Sequence, residues 1–334
     1  MTLSRRHFTA CLSALALTGA CRAQAENTGA LRLGYFANIT HAPALVGVER
    51  GLFREQLSTL GVELETFTFN AGPAAIEGLL SGALDATYVG PNPAVNAFIK
   101  SRGAVRVIAG AAAGGAFFVV RPDISGAADL RGKRVSAPQL GGTQDVALRT
   151  WLQNQGLQVD AFGGGDVSVT PMENAQTLER FQAGEIVGAW VPEPWATRLQ
   201  IEGGGKVLVD ERDLWPGGRF TTTVLLVREG QLKVRPEVYR ALLRGHVAAH
   251  RWSAEHGEEA QAAVNAAIKK ITGKALPAEV IARAWANLEF TTDPIPEALI
   301  RAAQDAERLG FVKLGKVDLT GLFALDLLKE VEAA

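Results

Sequence analysis

Residues 82–93 read Gly-Ala-Leu-Asp-Ala-Thr-Tyr-Val-Gly-Pro-Asn-Pro, and residues 184–194 read Gly-Glu-Ile-Val-Gly-Ala-Trp-Val-Pro-Glu-Pro. In each copy an amphipathic helical stretch ends at a glycine, a short apolar strand follows, and the strand runs into a turn that contains prolines. Two equivalent α/β units in one chain predict two lobes that face a shared cleft. A cleft of this kind is a place to hold a small molecule.

The composition sets limits on the protein class. The chain has 334 residues, of which 47% are hydrophobic, and its 34 basic and 35 acidic residues leave a net charge of −1. This length is sufficient for two cores, and the balanced charge argues against a nucleic-acid partner. Both cysteines, Cys11 and Cys21, lie near the start. We therefore expect neither a disulfide nor a cysteine metal site in the rest of the chain.

The first 25 residues are interpreted as an export signal. Residues 4–8 read Ser-Arg-Arg-His-Phe and form a basic start, and the apolar stretch 9–19 is too short for a permanent membrane span. The paired arginines resemble a twin-arginine signal, with an ordinary Sec signal as the alternative. We expect a periplasmic or other extracytoplasmic location, and no later segment is apolar enough to form a second span.

The cleavage site has two interpretations that the sequence leaves open. Residues 23–25 read Ala-Gln-Ala and would release a soluble protein. Residues 17–21 read Leu-Thr-Gly-Ala-Cys and resemble a lipobox, in which Cys21 would carry a lipid anchor.

The order of the predicted elements indicates how the lobes are connected. Helices alternate with short apolar strands, which indicates parallel βαβ units. The small residues 110–115 mark a first crossing between lobes, and the β-rich stretch 220–227 marks the return. We therefore predict a first lobe of residues 30–116 and 221–334, and a second lobe of residues 117–220. Such an inserted lobe permits hinge closure.

Four turns are candidates for binding a ligand. They lie between predicted strand ends and helix starts, where small residues leave backbone N–H groups open and Asn, Thr or Gln can orient a ligand. Hydrogen bonds to a charged group contribute about 1.5–3 kcal/mol each, so three or four approach the ~8 kcal/mol of micromolar binding. An oxyanion is the expected ligand. The turns span residues 38–41, 70–73, 90–93 and 139–144.

The turns differ in how specific they are. Gly141, Gly142, Thr143 and Gln144 favour function, because two glycines before a natural N-cap are costly unless something needs the space. Residues 70–72 fit a plain helix cap equally well. The role of His41 stays open between ligand contact and structural hydrogen bonding.

Other residues give weaker signals. His246 and His250 have helical spacing but no third ligand, so we expect a solvated helix face and no metal site. Residues 191–195 aim Glu193 and Trp195 into the cleft, where the Glu193 carboxylate could accept from a ligand ammonium or latch onto the opposite lobe. We find no nucleophile elbow, reactive cysteine or nucleotide motif. We therefore expect no catalytic residues, no cofactor and no enzymatic activity.

Several stretches together resemble the substrate-binding proteins of nitrate, sulfonate and taurine ABC importers, most closely the aliphatic-sulfonate branch. The resemblance covers residues 30 to 330. The stretches are 32–36 Arg-Leu-Gly-Tyr-Phe, 40–43 Thr-His-Ala-Pro, 90–93 Gly-Pro-Asn-Pro, 129–135 Asp-Leu-Arg-Gly-Lys-Arg-Val, 138–145 Pro-Gln-Leu-Gly-Gly-Thr-Gln-Asp and 190–195 Trp-Val-Pro-Glu-Pro-Trp.

This resemblance implies an α/β, type II periplasmic-binding-protein fold with two lobes joined by two hinge strands. It also implies a small anionic ligand such as an aliphatic sulfonate, and an ABC permease with its ATPase as partners. Taurine, nitrate or another small ligand, or a sensor role, are the alternatives, and an enzyme of pyrimidine-precursor synthesis on the same fold fits the export signal poorly. The ligand-binding residues expected on these grounds are Thr40, His41, Gly72, Gly90, Asn92, Gly142, Thr143, Gln144, Glu193 and Trp195.

Overall fold

The computed structural model describes residues 29–160 and 162–334. The predicted export signal, its cleavage sites and Cys21 lie outside the described residues. Among the described residues, no helix combines the length and the apolar character that crossing a membrane requires. The described chain forms two sheets with helices packed on them, which confirms the predicted α/β class.

The first sheet has six strands in the order β11-β4-β10-β3-β1-β2. Strand β1 pairs in parallel with β2 and β3, whereas β10 is antiparallel to both β3 and β4. We call this sheet and its helices the first lobe. Its strands are β1 (Leu31–Phe36), β2 (Leu64–Phe69), β3 (Ala86–Val89), β4 (Val105–Gly114), β10 (Thr221–Arg228) and β11 (Leu288–Glu289).

Helices cover both faces of this first sheet. On one face α1, α2, α9 and α10 enclose a core that includes Leu33, Phe53 and Leu242. On the other face α3, α4 and α12 enclose a core around Val89 and Leu299. The helices of this lobe are α1 (Ala42–Glu49), α2 (Leu52–Ser58), α3 (Gly72–Ser81), α4 (Pro91–Lys100), α8 (Glu229–Val234), α9 (Pro236–Glu255), α10 (Gly257–Thr272), α11 (Ala278–Ala286), α12 (Pro296–Arg308) and α13 (Asp326–Glu332).

The second lobe is built on a sheet of five strands in the order β7-β6-β8-β5-β9. Phe118, Trp151 and Trp190 fill the core on one face, and Phe181 with Leu199 fills the other. Its elements are β5 (Ala116–Val120), β6 (Arg134–Ser136), α5 (Thr143–Asn154), β7 (Ser168–Val169), α6 (Asn174–Gln182), β8 (Gly188–Pro192), α7 (Trp195–Ile201) and β9 (Lys206–Asp210).

The two copies of the repeated sequence occupy equivalent places in the two sheets. The helix of each copy is followed by a glycine in the left-handed region, Gly82 at φ 83° and Gly184 at φ 75°, which a side chain would disfavour. The strands that follow, β3 and β8, each lie between a parallel strand and an antiparallel one. The antiparallel neighbour of β3 is β10, with which the chain returns to the first lobe. The antiparallel neighbour of β8 is β5, with which the chain enters the second lobe.

One expectation about the strands is corrected. The sheets are mixed, because the strands next to each crossing run antiparallel to their neighbours. The small residues 110–115 are mostly strand, since β4 continues through Gly114 and pairs with β10. Only Gly114 and Gly115, both with positive φ, turn the chain into the second lobe. Small side chains there allow a close approach, since a Cβ on Gly110 would lie 2.2 Å from the carbonyl oxygen of Asp293.

The expectation that His246 faces solvent is wrong. Its side chain is fully buried, with Nδ1 2.7 Å from the hydroxyl of Tyr88 and Nε2 2.8 Å from the carbonyl oxygen of Gly110. Burial lowers the pKa of His246 to about 4, so the ring is neutral. A neutral ring offers one donor and one acceptor, which these two partners satisfy. No cluster of metal-binding side chains occurs within the described residues.

Candidate ligand-binding cleft

A cavity of about 60 Å³ lies between the two lobes. Because a water-sized sphere needs roughly 10–15 Å³ on this measure, the cavity has room for a group of a few heavy atoms. Residues at the carboxyl ends of strands in both sheets form its wall, as expected for ligand sites of open α/β sheets. The wall consists of Phe36, Asn38, Thr40, His41, Asn70, Ala71, Gly72, Pro73, Gly90, Pro93, Thr222 and Thr223 from the first lobe, and Pro138, Gln139, Gly142, Thr143, Gln144, Asn174 and Pro192 from the second.

Four helices begin at this wall: α3 at Gly72, α4 directly after Gly90, α5 at Thr143 and α6 at Asn174. None of the four has a side-chain hydrogen bond that caps its N-terminus. The first N–H groups of a helix have no intrahelical partner, and the helix dipole places partial positive charge there. Helix α4 contributes mainly its dipole, because Pro91 and Pro93 have no N–H group, whereas α3, α5 and α6 can also offer backbone donors. Two lobes thus direct positive potential and backbone donors into one cavity, which suits an anion.

Glycine is required at two of these helix starts because neighbouring side chains leave little room for a Cβ. A Cβ on Gly72 would lie 2.5 Å from Cγ of Pro93, and a Cβ on Gly90 would lie 2.6 Å from Oγ1 of Thr143. Gly90 and Thr143 belong to opposite lobes. The absent side chain at position 90 therefore lets the lobes approach each other.

Four polar side-chain atoms at the wall are buried and lack a hydrogen-bond partner within the described residues: Oε1 of Gln139, Oγ1 of Thr143, Oδ1 of Asn174 and Oγ1 of Thr223. Asn174 is 9% exposed and Thr223 is 1% exposed. A buried polar group without a partner costs about 1–3 kcal/mol. A bound polar ligand would provide the missing partners.

His41 contributes a neutral donor to the wall. Burial lowers the pKa of His41 to about 3, so its ring is uncharged at neutral pH. Nδ1 accepts a hydrogen bond from the N–H of Phe36 at 3.3 Å, and the two rings stack at 4.3 Å. The proton of the neutral ring is therefore on Nε2, which can donate. Among the described residues that form the wall, none has a charged side chain.

A buried ion pair braces the turn that carries Gly142 and Thr143. Oδ2 of Asp145 accepts from the N–H of Gly141 at 2.9 Å, and Oδ1 accepts from Nε of Arg149 at 2.8 Å. Both side chains are almost completely buried. Burial raises the pKa of Asp145, and the Arg149 guanidinium opposes that shift. Asp145 and Arg149 thus position the turn without lining the cavity.

The lobes are closed in this structure, because side chains hydrogen-bond across the cleft. Nε1 of Trp195 donates to Oδ1 of Asn38 at 3.0 Å, and Nδ2 of Asn287 donates to Oε1 of Glu193 at 2.7 Å. Glu193 is fully buried and also accepts from the N–H of Thr197 at 3.1 Å and its hydroxyl at 2.8 Å. Burial raises the pKa of Glu193, and these donors oppose the shift.

A second buried carboxyl lies behind the cavity. Oε2 of Glu211 accepts from Nε1 of Trp190 at 2.7 Å, and Oε1 accepts from Nε1 of Trp215 at 3.3 Å. Glu211 lines a space of about 20 Å³ together with Asp305 of the first lobe. Burial raises the pKa of Glu211 to about 7, with Asp210 and Asp305 adding to the shift.

The structure brings most of the predicted residues together. The seven that line the cavity are Thr40, His41, Gly72, Gly90, Gly142, Thr143 and Gln144.

Three predicted residues do not line it. Asn92 donates from Nδ2 to the carbonyl oxygen of Ala302 at 3.1 Å. The expectation that Glu193 and Trp195 point into the cleft is corrected, because both side chains bond to the first lobe instead. Of the two roles left open for Glu193, the latch is the one that its contacts show.

Sequence reasoning missed several residues at the wall. Asn174 and Thr223 lie in segments predicted only as a helix start and a strand, and Gln139 received no role of its own. The Asp145–Arg149 pair had a signal, since opposite charges at i and i+4 directly after the double glycine predict an ion pair on one helix face.

The chain is similar in sequence to two named proteins. A candidate binding protein of Brucella abortus (strain 2308) is 25% identical over 246 residues, 72% of this chain and 72% of that protein. The taurine-binding periplasmic protein of Escherichia coli (strain K12) is 28% identical over 189 residues, 56% of each chain.

A solved structure shows the same fold. The alkanesulfonate-binding protein SsuA from Xanthomonas axonopodis pv. citri, bound to MOPS, aligns with a TM-score of 0.73 at 17% identity, over 89% of this chain and 98% of that one. This likeness confirms the predicted periplasmic-binding-protein fold. Residues 24–268 match the NMT1-like family, and because this match covers most of the chain, the protein belongs to the NMT1-like family.

Proposed function

We propose that this protein is the extracytoplasmic solute-binding component of an ABC importer. In this proposal it binds a small organic anion of the aliphatic-sulfonate type between its lobes, closes around it, and delivers it to a permease that works with an ATPase. The named relatives support this role, since one binds taurine in the periplasm and another binds alkanesulfonates.

One observation carries the proposal. Four helix N-termini without side-chain caps surround the cavity, together with the buried hydroxyls of Thr143 and Thr223, which have no partner within the described residues and can donate to an anion. None of the described residues of the wall has a charged side chain. Helix N-termini hold anions by direct N–H donation and by their dipoles, without a buried cation. The cavity volume of about 60 Å³ fits a compact oxyanion head group.

The wall also favours a simple sulfonate over taurine. Taurine carries an ammonium group, and the best partner for a buried ammonium is a carboxylate. Glu193, the carboxylate considered for this role, instead bonds to Thr197 and Asn287. Two buried amide oxygens at the wall have no partner within the described residues, those of Gln139 and Asn174, and they could accept only neutral-strength hydrogen bonds from a ligand.

A thermal-shift screen tests the proposal. The purified protein is heated with methanesulfonate, butanesulfonate, taurine, nitrate and methylphosphonate in turn. A ligand at 100 times its Kd adds about 2.7 kcal/mol to the free energy of unfolding, which raises the melting temperature measurably. If none of these anions shifts the melting temperature, the proposed anion binding is wrong.

A pair of neighbouring threonines provides a matched variant and control. Thr223→Val removes the buried hydroxyl that has no partner, so the ligand-free protein should become no less stable while the affinity for the anion falls. Thr222→Val removes a hydroxyl that donates to the carbonyl oxygen of Gly114, so it should lower stability. Equal anion affinity in wild type and Thr223→Val would contradict a ligand contact at position 223.

A further inference from the structure

An apolar groove of about 640 Å³ opens beside the cavity. Helices α3 and α4 of the first lobe form one side, and the turn 139–141 of the second lobe forms the other. Leu80 is 41% exposed and Leu140 is 47% exposed, and they face this groove from opposite lobes. Large apolar side chains exposed together on both sides of a ligand cleft indicate a surface that something apolar covers.

The groove adjoins the cavity, because Pro73, Pro93 and Gln139 form part of both walls. The second pocket between the lobes, which contains Trp195, shares no wall residue with the cavity. On that side the hydrogen bond between Trp195 and Asn38 closes the cleft. The space of about 20 Å³ at Glu211 also adjoins the cavity, at Thr143, but it is far smaller than the groove. The groove is therefore the adjoining space with room for the rest of a longer ligand.

The two spaces differ in chemistry. The cavity holds the helix N-termini and no charged residue among its described wall residues. The groove has apolar surface from Ile76, Leu80, Leu140 and Phe311, and it is also lined by Glu77, Asn96 and Lys100. The cavity volume of about 60 Å³ accommodates a head group, and the groove is far larger. The combined shape fits a molecule with a compact anionic end and an extended apolar end.

We propose that the ligand is an extended organic anion whose head group occupies the cavity and whose apolar chain lies in the groove between Leu80 and Leu140. This inference rests on the proposed function and narrows its ligand class. It selects against anions of one or two carbons, because these leave the groove empty. Each methylene buried in the groove should tighten binding by roughly fourfold.

The test measures Kd by calorimetry for 1-alkanesulfonates with one, two, four, six and eight carbons. For the wild type, Kd should fall steadily with chain length, by roughly two- to fourfold per methylene. Leu140→Ser should flatten this dependence and leave the Kd of methanesulfonate unchanged. Leu60→Ser is the matched control, because Leu60 is 39% exposed and lies outside the groove. The Kd of this variant should depend on chain length as it does in the wild type.

The outcomes separate this inference from the proposed function. Equal Kd values at all chain lengths would overturn the inference, leave anion binding intact, and make the groove a surface for a protein partner. A length dependence that Leu140→Ser does not change would also overturn it, because the chain would then lie elsewhere. Absence of binding at every length would overturn the proposed sulfonate ligand, and the inference with it.

Discussion

The two copies of the repeated sequence have the same local structure and different contacts. In the first copy, Gly90 opens the wall of the cavity and α4 points its N-terminus at the ligand site. In the second copy, Pro192 is the only residue of the turn 192–195 that lines the cavity, while Glu193 and Trp195 bond to the first lobe. One turn therefore faces the ligand, and the other holds the lobes together.

This difference shows how one strand–turn–helix unit can serve two purposes. A small residue at the turn leaves backbone N–H groups open, whereas large polar side chains at the same place reach across the cleft. The turn that faces the cavity and the turn that forms the latch lie at corresponding places in the two sheets, because β3 and β8 have corresponding neighbours. Substitutions in each turn, and in the residues that support it, test this division of roles.

Glu211 allows a test of whether a buried carboxyl group of the second lobe contributes to the stability of the fold. Its pKa rises from 4.5 when unfolded to about 7 when folded. The folded protein therefore retains a proton that the unfolded chain loses, and the free energy of unfolding should fall as pH rises from about 4.5 to 7. A shift of this size corresponds to a loss of roughly 3 kcal/mol.

Glu211→Gln keeps the acceptor for Trp190 and removes the ionisation. Urea unfolding of this variant at pH 5 and pH 8 should show a much smaller difference than the wild type. If both proteins lose the same stability between these pH values, another group is responsible. Asp305, whose pKa burial also raises, would then be the next residue to replace.

Gly90→Val should remove the space that the glycine leaves at the turn that faces the ligand. The new Cβ would lie 2.6 Å from Oγ1 of Thr143, so lobe closure should be resisted and anion affinity should fall about a hundredfold, or roughly 2.7 kcal/mol. Its backbone conformation, φ −71° and ψ 161°, is ordinary for valine, so the ligand-free lobe should stay folded.

Gly126→Val is the matched control for Gly90→Val. Gly126 is also in an extended conformation, and a Cβ there would meet no atom within 4 Å. Calorimetry should show wild-type affinity for this control. Unchanged affinity in Gly90→Val would mean that the lobes close without close contact at this turn.

Asn287→Ala removes the first-lobe half of the latch. Glu193 then retains its bonds to Thr197, so the second lobe should stay folded while the closed form loses one hydrogen bond to a charged group. Hydrogen bonds to charged groups contribute about 1.5 kcal/mol or more, so the affinity should fall by roughly tenfold. Small-angle scattering should show a larger open fraction at subsaturating ligand.

Gln200→Ala is the control for this latch variant. Nη2 of Arg283 donates to Oε1 of Gln200 at 2.8 Å, which also links α11 to α7, but this pair is exposed. Exposed pairs contribute little, and this variant keeps the Arg283 charge that acts on Glu193. An affinity loss in Gln200→Ala as large as in Asn287→Ala would contradict a special role for the buried latch.

Trp195→Phe should have the smallest effect. It removes the hydrogen bond from Nε1 to Asn38 and retains an aromatic ring in the same place. A neutral hydrogen bond contributes about 0.5–1.5 kcal/mol, so affinity should fall by roughly two- to tenfold, mostly through faster dissociation. Stopped-flow release of a bound alkanesulfonate measures this rate. A release slower than that of the wild type would contradict the view that this hydrogen bond holds the lobes closed.

Local patterns predicted much of the fold. The positions of the helices and central strands followed from periodicity, proline and glycine, because these act within a few residues. The antiparallel strands β5, β9 and β10 were harder to place, because pairing between distant segments depends on how the whole chain packs. For the same reason His246 looked like a surface residue until Tyr88 and Gly110 supplied its partners.

The site was predictable to the extent that it consists of backbone. Glycines before a helix, as at positions 90 and 142, reveal themselves in the sequence. Asn174 and Thr223 carry no such signal, because only the closed arrangement of the lobes buries their oxygens without partners. Glu193 had a signal whose direction was ambiguous, since a carboxylate at a cleft can face a ligand or the opposite wall.

The absence of charged side chains from the cavity wall has a consequence for the medium in which the protein works. Attraction between exposed charges is screened within about 10 Å at 0.1 M salt. Donors fixed inside the closed cavity are shielded from those ions, and the wall has no side-chain charge whose attraction salt could screen. The held anion should therefore be bound almost equally well in dilute and in concentrated salt.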